Sequence, residues 1–285
     1  MKIADTHTHL YFESFDTDRD NVIQQNREAG VDLQIQIGCD EVSSLAALKM
    51  AQENDDMYCT IGLHPVDIWS FMNQEKPRIY PGFENYTQQG TTLDLLSDWL
   101  DETYQKNKEH IVGFGETGID LYHHNTPELL EQQLYSFKKH IELCKKHKKT
   151  LVIHSRGATQ ETLEFMRSHI KKGEIKGIWH CFSEGPEIAK TIVEEFDFYL
   201  GFGGVTTYPN AENVRDALAS IPNNRIITET DSPFLVPQSK RKTIKRNESR
   251  FLTEVIESIS NIKNMPIDEM SEILFTNAKK VYDLS

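Results

Sequence analysis

Asp5, His7 and His9 stand two residues apart at the start of this chain, in Ile3-Ala4-Asp5-Thr6-His7-Thr8-His9. Side chains on an extended strand alternate faces, so all three point the same way. Two imidazoles on one face can close on a single divalent metal ion. A His-x-His pair is a modest signal by itself, because a histidine is as often a satisfied structural residue. It gains weight if other ligand types recur at the ends of later strands. They recur in Gly62-Leu63-His64-Pro65, Gly115-Glu116-Thr117-Gly118, His154-Ser155-Arg156, His180-Cys181 and Glu229-Thr230-Asp231.

The elements that must position these residues alternate regularly. Strand patterns cover Ile3–His9, Asp32–Gly38, Tyr58–His64, Ile111–Glu116, Thr150–His154, Ile175–His180, Phe198–Gly203 and Arg225–Asp231. Amphipathic helical patterns lie between them, among them Thr17–Ala29, Ser43–Asn54, Leu93–Asn107 and Pro127–His147. Two more, Glu248–Ser260 and Ile267–Val281, follow the last strand. Strict alternation of this kind argues for a parallel sheet with helical crossovers. Eight units within 285 residues predict an α/β protein of the (β/α)8 TIM barrel type, as one domain over residues 1–285. A doubly wound sheet is the alternative, but no GxGxxG follows the first strand. In a barrel the C-terminal ends of the strands meet on one face. Gathering histidines and carboxylates there is costly unless something positive pairs them. Two divalent ions would do so; mixed nitrogen and carboxylate donors suit Zn, Mn, Fe or Ni, and carboxylate-rich positions also hold Mg.

One connection is long. Residues 66–92, after strand 3, have little periodicity but carry Trp69, Phe71, Tyr80, Phe83 and Tyr86. Long loops in compact domains are functional or disordered, and the aromatic content predicts that this one packs.

Composition sets wider bounds. At 38% hydrophobic and 26% charged residues the chain reads as an ordinary globular protein. It lacks an apolar run long enough to span a membrane, and a strand pattern begins within three residues of the start. Both features predict a cytoplasmic protein with no membrane partner. Cys39, Cys59, Cys144 and Cys181 form no CxxC pair and read as free thiols in or near the core. The net charge of −13 argues against broad adhesion to nucleic acid. It leaves a phosphate substrate open, since bound cations invert the local field.

The ordered set Asp5-x-His7-x-His9-Leu10, Gly62-x-His64-Pro65, Gly115-Glu116-x-Gly118-x-Asp120, His154-Ser155-Arg156, His180-Cys181-Phe182-Ser183 and Glu229-Thr230-Asp231-Ser232-Pro233 resembles the TatD family of metal-dependent deoxyribonucleases. The resemblance runs from residue 3 to the C-terminal helix. It implies the metal-dependent hydrolase barrel, 3′-5′ exonuclease action on single-stranded DNA, and two divalent ions (Mg, Mn or Zn). It further implies that His7 and His9 hold one ion with Asp231, that Glu116 bridges both, and that His154 and His180 hold the second. The chain departs from the family at Ser249, where a proline usually follows Asn247-Glu248; the expected consequence is confined to a helix start. The loop after strand 3 is also longer than the family norm, which bears on substrate access.

In the mechanism this implies, the ions activate a water that attacks phosphorus in line. Asp231 is then general base, or only a ligand. Glu229 shares its face by the two-residue period and is expected to support the ligands from behind. His64 and Arg156 are candidates for phosphate binding, or for shaping their loops. The basic run Lys240-Arg241-Lys242-Thr243-Ile244-Lys245-Arg246 follows strand 8, so Lys240, Arg241 and Lys242 are expected to meet the nucleic-acid backbone. Lys145-Lys146-His147-Lys148-Lys149 precedes strand 5 and reads as a solvated helix end. Trp69, Phe71 and Tyr80 read as the long loop's own small core before a base-stacking surface. Cys181, next to His180, is expected to face away from the metals. His123 and His124 have no assigned role. The competing function is metal-dependent hydrolysis of an amide or ester, since the same barrel serves many leaving groups. A binding protein that has lost catalysis is a further alternative, but every expected ligand is present. No obligate protein partner is evident.

Overall fold

The eight strand patterns become eight strands in the computed structural model, which describes all of residues 1–285 except Lys76, Pro77 and His124. In chain order they are β1 (Ile3–Thr8), β2 (Val31–Ile37), β3 (Met57–Ile61), β4 (Ile111–Asp120), β5 (Thr150–Arg156), β6 (Gly177–Trp179), β7 (Tyr199–Phe202) and β8 (Ile226–Thr228). They follow one another in sequence order within one sheet. Each described ladder is parallel. The helices are α1 (Arg19–Glu28), α2 (Glu41–Glu53), α3 (Ile68–Met72), α4 (Leu93–Lys106), α5 (Pro127–His147), α6 (Thr159–His169), α7 (Pro186–Phe196), α8 (Glu212–Ser220), α9 (Leu252–Lys263) and α10 (Ile267–Val281). The fold is the expected (β/α)8 barrel.

The chain divides into two compact units. One comprises Met1–Gln36 with Ile178–Ser285, the other Ile37–Gly177. In the first unit β8 returns to β1. Thr6 Oγ1 donates to the Thr228 carbonyl at 2.9 Å, and Thr228 Oγ1 donates to the Ala4 carbonyl at 2.8 Å. A parallel bridge joins Thr8 to Ser232. All six residues of β1 are buried, as expected of a parallel strand covered on both faces. Tyr282, just after α10, is fully buried and donates its hydroxyl to the Thr6 carbonyl.

In the second unit β3, β4 and β5 pair in parallel. Helix α2 starts at a reciprocal cap: Asp40 accepts from the Ser43 amide, and Ser43 Oγ accepts from the Asp40 amide. Helix α5 starts on Thr126 with Pro127 in its first turn, and ends in Lys145, Lys146 and His147 at the negative end of its dipole. That basic end is ion-paired rather than simply solvated. Lys145 meets Glu174 at 3.0 Å, and Lys146 and His147 meet Asp101 at 2.7 and 2.5 Å.

Several strand ends differ from expectation. β3, β6 and β8 stop at Ile61, Trp179 and Thr228, short of His64, His180 and Asp231. Cys181 (φ +46°) and Asp231 (φ +53°) take left-handed backbone that no strand can continue. β4 runs longer, to Asp120, because it stays paired with β5 as far as Arg156. This needs Gly118, at φ +139°, where a Cβ would run into the His154 carbonyl oxygen.

The long connection packs, as its aromatics predict. It contains a short 3-10 turn, Pro65–Asp67, and helix α3. Phe71 and Tyr80 are buried, while Trp69 stands 48% exposed. Its last stretch is fastened to Glu41, a buried residue in the first turn of α2. The Glu41 carboxylate accepts from the Tyr86 hydroxyl at 2.5 Å, the Gln89 amide at 2.6 Å and the Gly90 amide at 2.5 Å. Burial, and then the carboxylate beside it, push the Tyr86 hydroxyl well above its ordinary pKa. The loop therefore hangs on one buried acid that periodicity alone does not single out.

Candidate metal centre

Among the described residues, histidines and carboxylates gather as candidate donors within each unit. In the first, β1 supplies His7 and leads into His9, while the turn after β8 supplies Asp231. One donor atom from each of the three lies within 4.8 Å of the others. Asp231 Oδ1 is 3.4 Å from His9 Nε2, 3.7 Å from His7 Nε2 and 3.9 Å from His180 Nε2. The His7 and His180 rings stack with centroids 3.4 Å apart. Burial would raise the Asp231 carboxyl, but the His9 hydrogen bond and the fields of His180 and His7 outweigh it. They hold the group below the usual carboxylate value.

The other nitrogen of two of these rings is engaged from behind. His9 Nδ1 lies 3.1 Å from the Tyr11 hydroxyl, and His180 Nδ1 lies 3.0 Å from Glu229 Oε1. Supports of this kind fix ring orientation and tautomer, leaving Nε2 as the donor. Glu229 also accepts the Cys181 amide at 2.5 Å. Gly201 on β7 makes room for it, since a Cβ there would strike the Glu229 carboxylate.

In the second unit Glu116 and His154 stand on adjacent strands, with Glu116 Oε1 and His154 Nδ1 2.9 Å apart. His64, at the start of the 3-10 turn, brings Nε2 to 3.2 Å from His154 Nδ1 and 3.6 Å from Glu116 Oε1. These three also place their donor atoms within 4.8 Å of one another. His154 Nε2 faces Asp120 Oδ2 at 3.0 Å. Burial opposes ionisation of Asp120, but the hydrogen bonds from His154 and from the amide and ring of His123 win and hold its pKa far below the ordinary value. An ionised Asp120 keeps the proton on His154 Nε2 and presents Nδ1 as the donor. Asp120→Asn is expected to weaken divalent-ion binding by about 10–100-fold. Titration with Mn or Zn, followed calorimetrically, measures this.

A buried cluster of imidazoles and carboxylates at these separations suits divalent transition ions. The donor chemistry fits the metal that the motifs imply: His7, His9 and Asp231 form one candidate set, and Glu116 and His154, expected to work with His180, stand with His64, which was expected to meet phosphate. Within its own unit His180 joins Asp231 and Cys181. Cys181 does not turn away as strand alternation predicts; the left-handed backbone beyond β6 brings its sulfur to the donors. It and Cys39 are partly exposed, Cys59 and Cys144 buried, and none of the four is in a disulfide.

The residues expected to bind substrate are distributed more widely. Arg156 is exposed and stacks over Tyr122 at 4.2 Å. Lys240 pairs with Glu254 at 2.9 Å, Arg241 lies over Tyr208 at 4.5 Å, and Lys242 is exposed. Arg246 is held by Asp18 and Glu248. His123 acquires a role in holding Asp120, while His124 lies outside the described residues.

The sequence motif that carries the family resemblance includes Asp120 but assigned it no role, although its spacing of four from Glu116 puts it on the same strand face. It also gave no role to Asp5. This fully buried carboxylate accepts from the His7 amide at 3.3 Å, the Thr230 amide at 3.0 Å, and the Thr230 and Ser249 hydroxyls at 2.6 Å. Burial raises its pKa to about 6 against the pull of those donors. Ser249 thus does more than start a helix: the hydroxyl that stands where the family has proline binds Asp5.

Barrel and donor sets together define a metal-dependent hydrolase, and comparison with known proteins agrees. The chain belongs to the TatD family: the model for TatD related DNase matches residues 4–283. The uncharacterized metal-dependent hydrolase YabD of Bacillus subtilis is 31% identical over 283 residues, covering 99% of this chain and all of the relative. Its counterpart YcfH of Escherichia coli K12 is 28% identical over 287 residues, covering 100% of this chain and 97% of the relative. Among solved structures, the TatD homolog YJJV of E. coli K12 superposes with a TM-score of 0.83 at 22% identity, covering 99% of this chain and 98% of that one. A TatD family hydrolase from Entamoeba histolytica gives 0.80 at 19%, covering 100% and 99%. Among the described residues no helix is long and apolar enough to cross a membrane.

Proposed function

We propose that this hydrolase is a deoxyribonuclease that removes nucleotides from single-stranded DNA in the 3′-5′ direction. The observation that carries the reading is the pair of histidine–carboxylate donor sets, in a family whose model is described as TatD related DNase. Divalent ions bound there supply Lewis acidity, stabilising charge on the phosphoryl oxygens and making a bound water more acidic.

The chain's own groups do the rest. Asp231, kept ionised by its histidine neighbours, takes the proton of the attacking water at Oδ1. Asp120 holds the proton on His154 Nε2 and so fixes that ring. Glu229 does the same for His180 through Nδ1. Arg156, exposed beside the second donor set, offers its guanidinium to a phosphate. In the other unit, Arg241 and Lys242 offer cations of their own to a nucleic-acid backbone.

The test is digestion of 3′- and 5′-labelled single-stranded DNA with Mg, Mn or Zn, alongside amide and lactone substrates, with EDTA as control. Ion-dependent shortening from the 3′ end is expected. DNA left intact with every ion, together with turnover of an amide or lactone, would replace the nuclease reading.

A further inference from the structure

We infer that Phe234, set edge-on against Phe12, is a stacking platform for an unpaired nucleobase of the substrate strand. The inference rests on the nuclease reading and names where that site grips its substrate. Phe234 is a large apolar side chain left 52% exposed. A single exposed phenylalanine needs no explanation; its attachment to the donor set does. The turn that carries it is closed by the Phe234 amide donating to the Asp231 carbonyl at 2.8 Å, so its backbone is tied to a residue of the first donor set. Its ring meets Phe12 edge-to-face with centroids 6.2 Å apart and planes at 76°. Phe12 in turn lies nearly parallel to His9, at 4.8 Å and 19°. A continuous run of rings therefore leads from a donor histidine to solvent, all within one unit of the chain.

The same connection indicates what should lie on the platform. Past Phe234 it carries Lys240, Arg241, Lys242, Lys245 and Arg246. Two of these are neutralised, Lys240 by Glu254 and Arg246 by Asp18 and Glu248. Lys242 and Lys245 are exposed, as is Arg241 on the Tyr208 ring, whose hydroxyl is anchored to the Val236 carbonyl at 3.0 Å. A flat apolar face followed by several cations matches a ligand with a π-face and repeated negative charge, which is single-stranded nucleic acid. A duplex keeps its base faces stacked, a lipid headgroup has no flat π-face to lay on the ring, and an apolar peptide gives the cations nothing to bind. Trp69, exposed on the long connection, belongs to the other unit of the chain.

The experiment uses the full chain in EDTA, so that binding is read without hydrolysis. A single-stranded oligonucleotide carrying 2-aminopurine near its 3′ end is titrated, and quenching reports stacking. Wild-type protein is expected to quench. Phe234→Ala is expected to lose the quench and bind about 10-fold more weakly, and Phe234→Tyr to restore both. An oligonucleotide abasic at the probe position should bind wild type and Phe234→Ala equally. Unchanged quenching in Phe234→Ala, loss of quenching in Trp69→Ala instead, or no quenching by wild type would each overturn the inference. Digestion of the same oligonucleotide with added ions separates the two ideas. Cleavage without Phe234-dependent quenching sinks the platform alone, whereas Phe234-dependent quenching with no cleavage by any ion sinks the nuclease reading alone.

Discussion

Asp231→Ala is expected to lower ion-dependent turnover by about 10³-fold, within the range that loss of a positioned general base produces. Asp231 Oδ1 lies 3.4–3.9 Å from the Nε2 atoms of His9, His7 and His180, and its ionised form is favoured by all three. The substitution thus removes both a proton acceptor and the acid that balances three imidazoles. Asp231 sits at φ +53°, where alanine costs about 1–2 kcal/mol and asparagine much less. Asp231→Asn is therefore the cleaner variant. It keeps an oxygen for an ion and the left-handed backbone, but it cannot take a proton at neutral pH. If the acid is the base, Asp231→Asn binds ions with near wild-type stoichiometry and still loses turnover. If it is only a ligand, ion affinity and turnover fall together, and saturating metal restores rate. Glu116→Ala is expected to abolish turnover likewise while the fold, read by circular dichroism, persists. A fully active Glu116→Ala protein is incompatible with catalysis by two ions.

The order of the strands and the chemistry at their ends were legible because both are local. β4 reads as an apolar run ending in Glu116, the signature of a parallel strand buried on both faces, and β1 reads as a short strand whose Asp5, His7 and His9 share a face. Backbone that leaves the strand conformation is not local in this sense. Alternation put Cys181 on the face opposite His180, but β6 ends at Trp179 and φ +46° at Cys181 resets the direction. The basic run after β8 shows the same limit for charge. Its residues are adjacent in sequence, yet Glu254 and Asp18 come from elsewhere in the chain and neutralise Lys240 and Arg246. Glu41 binds backbone amides, which leaves no periodic trace, while Asp120 stands in the Gly115-Glu116-x-Gly118-x-Asp120 motif, where nothing local tells that it holds a histidine ring.

Asp5→Ala is expected to destabilise the protein by about 3–5 kcal/mol, the largest stability effect among the site residues. A buried donor left without its acceptor costs about 1–3 kcal/mol, and this carboxylate serves two backbone amides that cannot turn elsewhere, those of His7 and Thr230. The Thr230 and Ser249 hydroxyls can rotate toward other acceptors. For Ser249 one is at hand, Gln34 Oε1 at 3.2 Å. Ser249→Ala should accordingly cost only about 1 kcal/mol. Urea unfolding in EDTA, which removes ion linkage from the measurement, checks both values. The same substitution also reaches the donor set. Asp5 holds the His7 backbone on β1 and that of Thr230, the neighbour of Asp231, across 225 residues of chain. Without it the separation of two donors is no longer fixed. Asp5→Ala should therefore weaken ion binding even where the protein remains folded, whereas Ser249→Ala should leave ion binding nearly unchanged. Equal stability loss in the two variants would mean that the Ser249 hydroxyl, and not the backbone amides, is what the buried carboxylate chiefly serves.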